Sequence, residues 1–289
     1  MILTNRKNLP NILLDVIKND SYDGVGFTAT TIINNPHLYY LNLKHKDDIV
    51  EDVLDHFHTL LGKAVHYVFE KAGSSYLTEV RFKTTIEDKR LLKPIEISAQ
   101  IDVFDVTNKI LTDLKIVTKS KTGVSEEYEA QLNIQKYIME RNGFTVNQME
   151  LLHIYRDWYK KDKYDHLLPQ DPIARKPVPI WTRTQVEEYI VTRLLLFQNY
   201  DGTPCTEKER WTKPTIYAVK TPTANRSRKN FTNYNEAQMA LKPGEIVETR
   251  PGGDPRCQEY CSLNNFCSFY INKYLAKMPQ EKKESEETW

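Results

Sequence analysis

Over residues 50–72 the apolar side chains recur at helical spacing. Leu54, Phe57, Leu61, Ala64, Val65, Val68 and Phe69 share one face, and Gly73 offers a stop. The period then changes to two. Ile95, Ile97, Ala99, Ile101 and Val103 alternate with Glu96, Ser98, Gln100, Asp102 and Phe104, as in a strand, and a second run covers Ile110 to Val117. Helical spacing returns over 125–142 and ends at Gly143. Residues 149–156 read as a further strand, and 183–200 as a long helix ending near Gly202. The order helix, strands, helix, strand, helix predicts an α/β fold, a mixed central sheet flanked by helices. Residues 1–50 read as a helical, irregular lead-in interrupted at Pro36. Beyond residue 203 prolines, glycines and cysteines punctuate the chain, and Pro279 to Trp289 has the Glu, Lys and Ser composition of a disordered tail. The expected division is a lead-in (1–50), a core (51–202), a four-cysteine subdomain (203–275) and a tail (276–289).

Composition narrows the class. The 289 residues suffice for one substantial core and an appended subdomain. No run approaches the length of a membrane span, and Met1 to Asn8 does not read as a signal peptide, so a cytoplasmic protein is expected. A net charge of +1 argues against non-specific coating of DNA, yet it permits a local basic groove cancelled by an acidic site.

Candidate chemistry centres on Asp102 and on Asp113-Leu114-Lys115. Asp113 and Lys115 are two apart and project from one strand face. If Thr107 and Asn108 form the intervening turn, Asp102 lies directly opposite Asp113, with Cβ atoms about 4.5–5.5 Å apart. Two facing carboxylates repel unless a cation sits between them, and hard oxygen ligands favour Mg²⁺ or Mn²⁺. An isolated Asp-x-Lys is most often a solvated strand face, so the neighbours matter. His66 lies at the edge of the first helix's apolar face, on the side of Gly62. Glu79 precedes a short strand, Val80-Arg81-Phe82. Gln131 shares a helix face with Tyr128 and Gln135.

This order of motifs resembles the RecB-type branch of the PD-(D/E)XK nucleases, which includes the RecB and AddB nuclease domains, CRISPR-associated RecB-like exonucleases and many bacteriophage exonucleases. The resemblance runs over roughly residues 28–267, and the segment from Thr28 to Asp55 looks most like the phage members. It implies a restriction-endonuclease-like core in which His66, Asp102, Asp113 and the Leu114 carbonyl bind the metal. Lys115 would be the catalytic lysine, Gln131 the motif glutamine and Glu79 a further acidic participant. The family's Q-x-x-x-Y is Gln131-x-x-x-Gln135 here; Tyr137 falls on another helix face, and Tyr128 is the tyrosine nearest in role.

The four cysteines are Cys205, Cys257, Cys261 and Cys267, the last three at spacings x₃ and x₅. Such clustering in a cytosolic chain points to metal rather than disulfides. Several RecB-type nucleases resemble this arrangement and hold a [4Fe–4S] cluster, although there the lone cysteine commonly precedes the core, whereas Cys205 follows it. Zn²⁺ is the alternative occupant of four thiolates. Arg226, Arg228 and Lys229, interleaved with Phe231 and Tyr234, suit single-stranded DNA, and Lys119 and Lys121 suit the phosphate backbone. The resemblance therefore implies a metal-dependent DNA exonuclease acting on single strands or ends in recombination, repair or phage DNA processing, in a bacterial or phage-infected cell. A helicase, recombinase or annealing protein would be its partner. The alternatives are a non-catalytic DNA-binding scaffold or a partner-dependent nuclease subunit on the same fold, and a four-cysteine zinc scaffold.

Overall fold

The computed structural model describes residues 2–18 and 26–276; residues 277–289 of the anticipated tail lie outside the described residues. The chain forms two compact units, residues 1–39 with 50–201, and residues 40–49 with 202–289, so the lead-in is divided between them.

The chain opens with β1 (Ile2–Thr4), α1 (Ile12–Lys18), β2 (Phe27–Thr28), α2 (Ala29–Ile33) and α3 (Pro36–His45). Pro36 does not interrupt a helix but starts one: at the first helical position its missing N–H costs nothing. The helix expected over 50–72 is shorter. β3 (Val50–Asp52) and a 3₁₀ turn (Val53–His56) precede α4 (Phe57–Phe69), because the buried Asp52 carboxylate caps Leu54 N at 3.2 Å and fixes a turn there. The apolar face anticipated for this helix is not buried; Phe57 and Val68 are exposed.

The remaining strands of the first unit are β4 (Tyr76–Thr78), β5 (Arg81–Ile86), β6 (Ile95–Gln100), β7 (Val103–Asp105), β8 (Ile110–Val117), β9 (Gln148–Tyr155) and β10 (Ile173–Pro177). They form a five-stranded mixed sheet, β10-β9-β8-β7-β4, and a three-stranded sheet, β2-β6-β5. Only β8 and β9 are parallel in the larger sheet. The single strand expected over 95–104 is thus two strands in two sheets, broken at Ile101-Asp102. The partner hairpin breaks at the same level: Ile101 N donates to Val80 O at 3.0 Å and Glu79 N to Asp102 O at 3.2 Å.

Helix α5 (Glu126–Arg141) fills the space between the sheets. Ser125 caps its start, accepting from Tyr128 N. Its end is the Schellman arrangement that Gly143 announces in the sequence. At φ +88°, Gly143 lets its own N–H reach Glu140 O and Phe144 N reach Met139 O. One face of α5 (Ile134, Ile138) packs with Ile97, Ala99 and residues of α6 (Arg183–Gln198) such as Ile190 and Leu194. The other (Leu132, Met139) packs on Leu111, Met149 and Leu151 of the larger sheet. Burial on both sides fixes the helix rigidly over β8.

In the second unit, α7 (Glu207–Arg210), β11 (Ile216–Lys220), β12 (Lys229–Phe231), α8 (Tyr234–Met239) and β13 (Ile246–Arg250) build a small antiparallel sheet, β12-β11-β13, followed by short helical turns that carry three cysteines.

Candidate active site

β8 places Asp113 and Lys115 on one face, as alternation requires. The hairpin ladder runs Val103↔Thr112, Phe104↔Leu111, Asp105↔Ile110; extended by one step, it sets Asp102 opposite Asp113. The turn needs no glycine. Asp105 accepts from Thr107 N and Asn108 N at 3.0 and 2.8 Å, and Lys109 takes the left-handed position at φ +58°.

Seven side chains meet here. Asp102 sits in the break between the sheets, its Oδ2 accepting from Leu114 N at 2.7 Å. Asp113, 1% exposed, accepts from Gln131 Nε2 at 3.0 Å through Oδ1, and its Oδ2 lies 2.6 Å from Lys115 Nζ. The Lys115 ammonium is 4.8 Å from the centre of the Tyr128 ring. From α4, His66 turns Nδ1 to Glu79 Oε1 at 2.7 Å and Nε2 toward Asp102 Oδ2 at 3.8 Å. Among the described residues His66, Glu79 and Asp102 are the group whose ligand atoms gather within 4.8 Å of one another. Glu79 holds this position from a left-handed backbone, φ +55°, where a residue with a Cβ costs about 1–2 kcal/mol.

The electrostatics are those of a site short of positive charge. Burial, and then the Asp113 charge, push the Asp102 carboxyl up to about 7 against the pull of His66, Lys115 and the Leu114 N–H. Burial pulls Lys115 down, but Asp113 and Asp102 outweigh it and hold it above its ordinary value, firmly protonated. The hydrogen bond to Glu79 raises His66, opposed by burial and aided by Asp102. A divalent cation among these groups would relieve the carboxylate repulsion, so the donor set fits a hard metal ion.

Two neighbours escaped the sequence reading. Gln100 links Arg81 to the site, accepting from Arg81 Nη2 and donating to Glu79 Oε2, each at 2.7 Å. It is two residues before Asp102 in the same alternating row, and that signal was available. His153 is the cross-strand neighbour of Lys115; buried, and pulled down by that burial, it stays neutral. Gln135 is buried and donates to Gln100 O at 3.0 Å, bracing the broken strand. A cleft of about 380 Å³ adjoins the carboxylates, lined by Thr28, Thr30, Asn34 and Arg81 together with Glu79 and Gln131.

Not all the anticipated basic residues are placed as phosphate contacts. Lys119 pairs with Asp162 at 2.8 Å, while Lys121 is exposed. Arg226, Arg228 and Lys229 belong to the second unit. There Arg228 forks onto Glu245 at 2.6 and 2.7 Å, and Lys229 lies 4.8 Å from the Phe231 ring centre.

The four cysteines also lie in the second unit, and none is in a disulfide. Burial, then Glu209 and the neighbouring Cys257 and Cys261, push Cys205 up to about 12. Burial, then Cys261, Asp254 and Cys267, push Cys257 up to about 11. Burial chiefly raises Cys261, with Cys267 adding to it. Each of these three thiols is raised in part by another cysteine, although among the described residues no three of the sulfurs lie within 4.8 Å of one another; a bound cation would favour their ionisation. Beside them Asp254, fully buried, gathers Arg210 (3.2 Å), Thr212 (2.5 Å), Lys273 (2.5 Å) and Tyr274 (2.7 Å), tying together the segments around Cys205 and Cys257.

No family model and no curated protein matches the chain. Among solved structures, that of SSO0001 is 15% identical with a TM-score of 0.49, over 70% of this chain and 88% of that one. A phage related exonuclease from Haemophilus somnus 129PT is 12% identical with a TM-score of 0.33, over 61% of this chain and 93% of the other. No described helix is long and apolar enough to cross a membrane.

Proposed function

We propose that this chain is a metal-dependent deoxyribonuclease of PD-(D/E)XK type that hydrolyses phosphodiester bonds, acting as an exonuclease on single-stranded DNA or DNA ends. The observation that carries the reading is the gathering of His66, Glu79 and Asp102 within 4.8 Å of one another, on the strand face that also carries the buried Asp113 with a protonated Lys115 2.6 Å from it. A solvated strand face explains neither the burial of Asp113 nor the strain held at Glu79.

His66, Asp102, Asp113 and the Leu114 carbonyl would hold Mg²⁺ or Mn²⁺. A divalent ion there supplies Lewis acidity toward the phosphate and a more acidic water. The chain's own residues do the rest. Gln131 and Leu114 N–H fix the two carboxylates in place. Glu79, braced by Gln100, orients the His66 ring and leaves its Nε2 facing Asp102. Lys115 presents a full positive charge over the Tyr128 ring, where it can orient the attacking water and neutralise charge developing on the phosphate.

In the second unit, Cys205, Cys257, Cys261 and Cys267 would hold a [4Fe–4S] cluster, with Zn²⁺ as the alternative. Its role is structural: four bound thiolates close a loop of about 60 residues that carries the small sheet β12-β11-β13.

The test is cleavage of end-labelled single- and double-stranded DNA by anaerobically purified protein in Mn²⁺, Mg²⁺ or EDTA, beside Asp113→Asn. Metal-dependent cleavage lost in the variant supports the assignment. Binding without cleavage of any substrate would make the chain a DNA-binding scaffold or a subunit that needs its partner.

A further inference from the structure

Beyond the end of β9 the chain runs Arg156-Asp157-Trp158-Tyr159-Lys160-Lys161-Asp162-Lys163-Tyr164-Asp165-His166-Leu167, and its acidic and basic members are sorted by direction. Asp162, 4% exposed, accepts from Tyr159 N and from Lys119 Nζ, both at 2.8 Å. Asp157 accepts from Lys119 N at 2.7 Å, and Trp158 Nε1 donates to Pro169 O at 2.9 Å. These groups hold the loop from beneath. Lys160, Lys161 and Lys163 are exposed, as is Lys121 on the neighbouring loop. Tyr159 and Tyr164 are 63% and 87% exposed, with Lys161 Nζ 5.9 Å from the Tyr159 ring centre. Of the carboxylates only Asp165 is exposed, and it caps the following turn at Leu167 N.

The loop is anchored to the elements of the active site from two directions. Lys119 lies four residues beyond Lys115, about 13 Å along an extended chain. Arg156 contacts His58 on α4, two turns or about 12 Å before His66 on the same helix.

We propose that residues 156–164 form a stacking platform for single-stranded nucleic acid, with Tyr159 and Tyr164 taking bases and Lys160, Lys161 and Lys163 taking phosphates. Aromatic faces interleaved with cations, without base-edge readers, are the means of sequence-tolerant single-strand binding. An acidic protein would match the lysines but leaves the two exposed rings without a role. A membrane would need more apolar surface than Leu167 supplies. The platform's role in feeding the site rests on the nuclease reading above; the binding itself does not.

The experiment is fluorescence anisotropy of a labelled oligothymidylate with the full chain in EDTA, over a range of salt. It compares the wild type, Tyr159→Ala/Tyr164→Ala, Lys160→Gln/Lys161→Gln/Lys163→Gln, and Asp113→Asn as a control. Each tyrosine lost should raise Kd roughly tenfold, and the lysine variant should lower the slope of log K against log salt by about 2. All substituted side chains of the platform are exposed, so melting temperatures should match the wild type and report any fold effect. Wild-type affinity and salt slope in both platform variants would overturn the proposal. So would variants that bind the oligonucleotide normally but lose binding to polyglutamate, which would assign the surface to an acidic protein. Lost binding in the variants of a protein that cleaves no DNA would support the platform and sink the nuclease reading instead.

Discussion

Replacing Asp102 with Asn tests the electrostatic argument apart from any activity. Asp102 ordinarily titrates at 3.8 and is pushed to about 7 in the folded protein. Below about pH 3.8 it is protonated in both states and contributes nothing. As pH rises toward 7 the folded state retains the proton more tightly, so stability falls across that window and the loss is complete above it. Ionising the group in the fold then costs on the order of 4 kcal/mol. Asn keeps an oxygen for Leu114 N but carries no charge. Because Asp113 shares the repulsion and relaxes with it, about half of this cost is expected back: about 2 kcal/mol, or roughly 4–8 °C in melting temperature. The assay is thermal unfolding in EDTA from pH 5 to 8, then with Mn²⁺. Without metal the variant should be the more stable protein above pH 7, with the two converging in acid. His66, raised mainly by Glu79, loses its own contribution as pH rises, in the same direction and in both proteins. Mn²⁺ at a hundred times its Kd should stabilise the wild type by about 2.7 kcal/mol and the variant far less. A variant less stable than wild type in EDTA at pH 8, or equal stabilisation of both by Mn²⁺, would refute the reasoning.

Further outcomes follow from individual contacts. Gln131→Ala removes a hydrogen bond to a buried carboxylate and should lower cleavage roughly tenfold to a hundredfold in a metal-dependent assay, with the fold retained in circular dichroism. Asp254→Ala takes the shared partner from Arg210, Lys273, Thr212 and Tyr274; it should destabilise the second unit by about 3 kcal/mol and lower the metal content of anaerobically purified protein. Cys257→Ser should reduce bound iron, or zinc if zinc is the occupant, as read by elemental analysis. Gly143→Ala forces a side chain to φ +88° and should cost about 1 kcal/mol in denaturant unfolding.

The strand of the candidate site was legible because its acidic and basic residues sit on a two-residue period. Asp113, Lys115 and the facing Asp102 follow from alternation plus one turn, and Asp105 with Lys109 supplies the turn that glycine usually would. Helices α5 and α6 were legible from their caps and apolar spacing. Three things were not. The break at Ile101-Asp102 leaves no mark on the alternation, since residues on both sides of it are buried and the strand changes sheets rather than ending. The turn before α4 depends on Asp52 caps and on pairing with β1, nearly 50 residues earlier. The direction of Lys119 was hidden because its partner, Asp162, lies on a loop over 40 residues away.

The central claim is that Lys115 acts on the reaction of a metal-loaded site rather than on the site's assembly. The most direct measurement is single-turnover cleavage of end-labelled single-stranded DNA in Mn²⁺ by wild type and Lys115→Ala, with Mn²⁺ binding measured on the same samples. The account predicts metal-dependent cleavage by the wild type, at least a thousandfold loss in the variant, and retained Mn²⁺ binding. Cleavage that survives EDTA, or undiminished cleavage by Lys115→Ala, would contradict it.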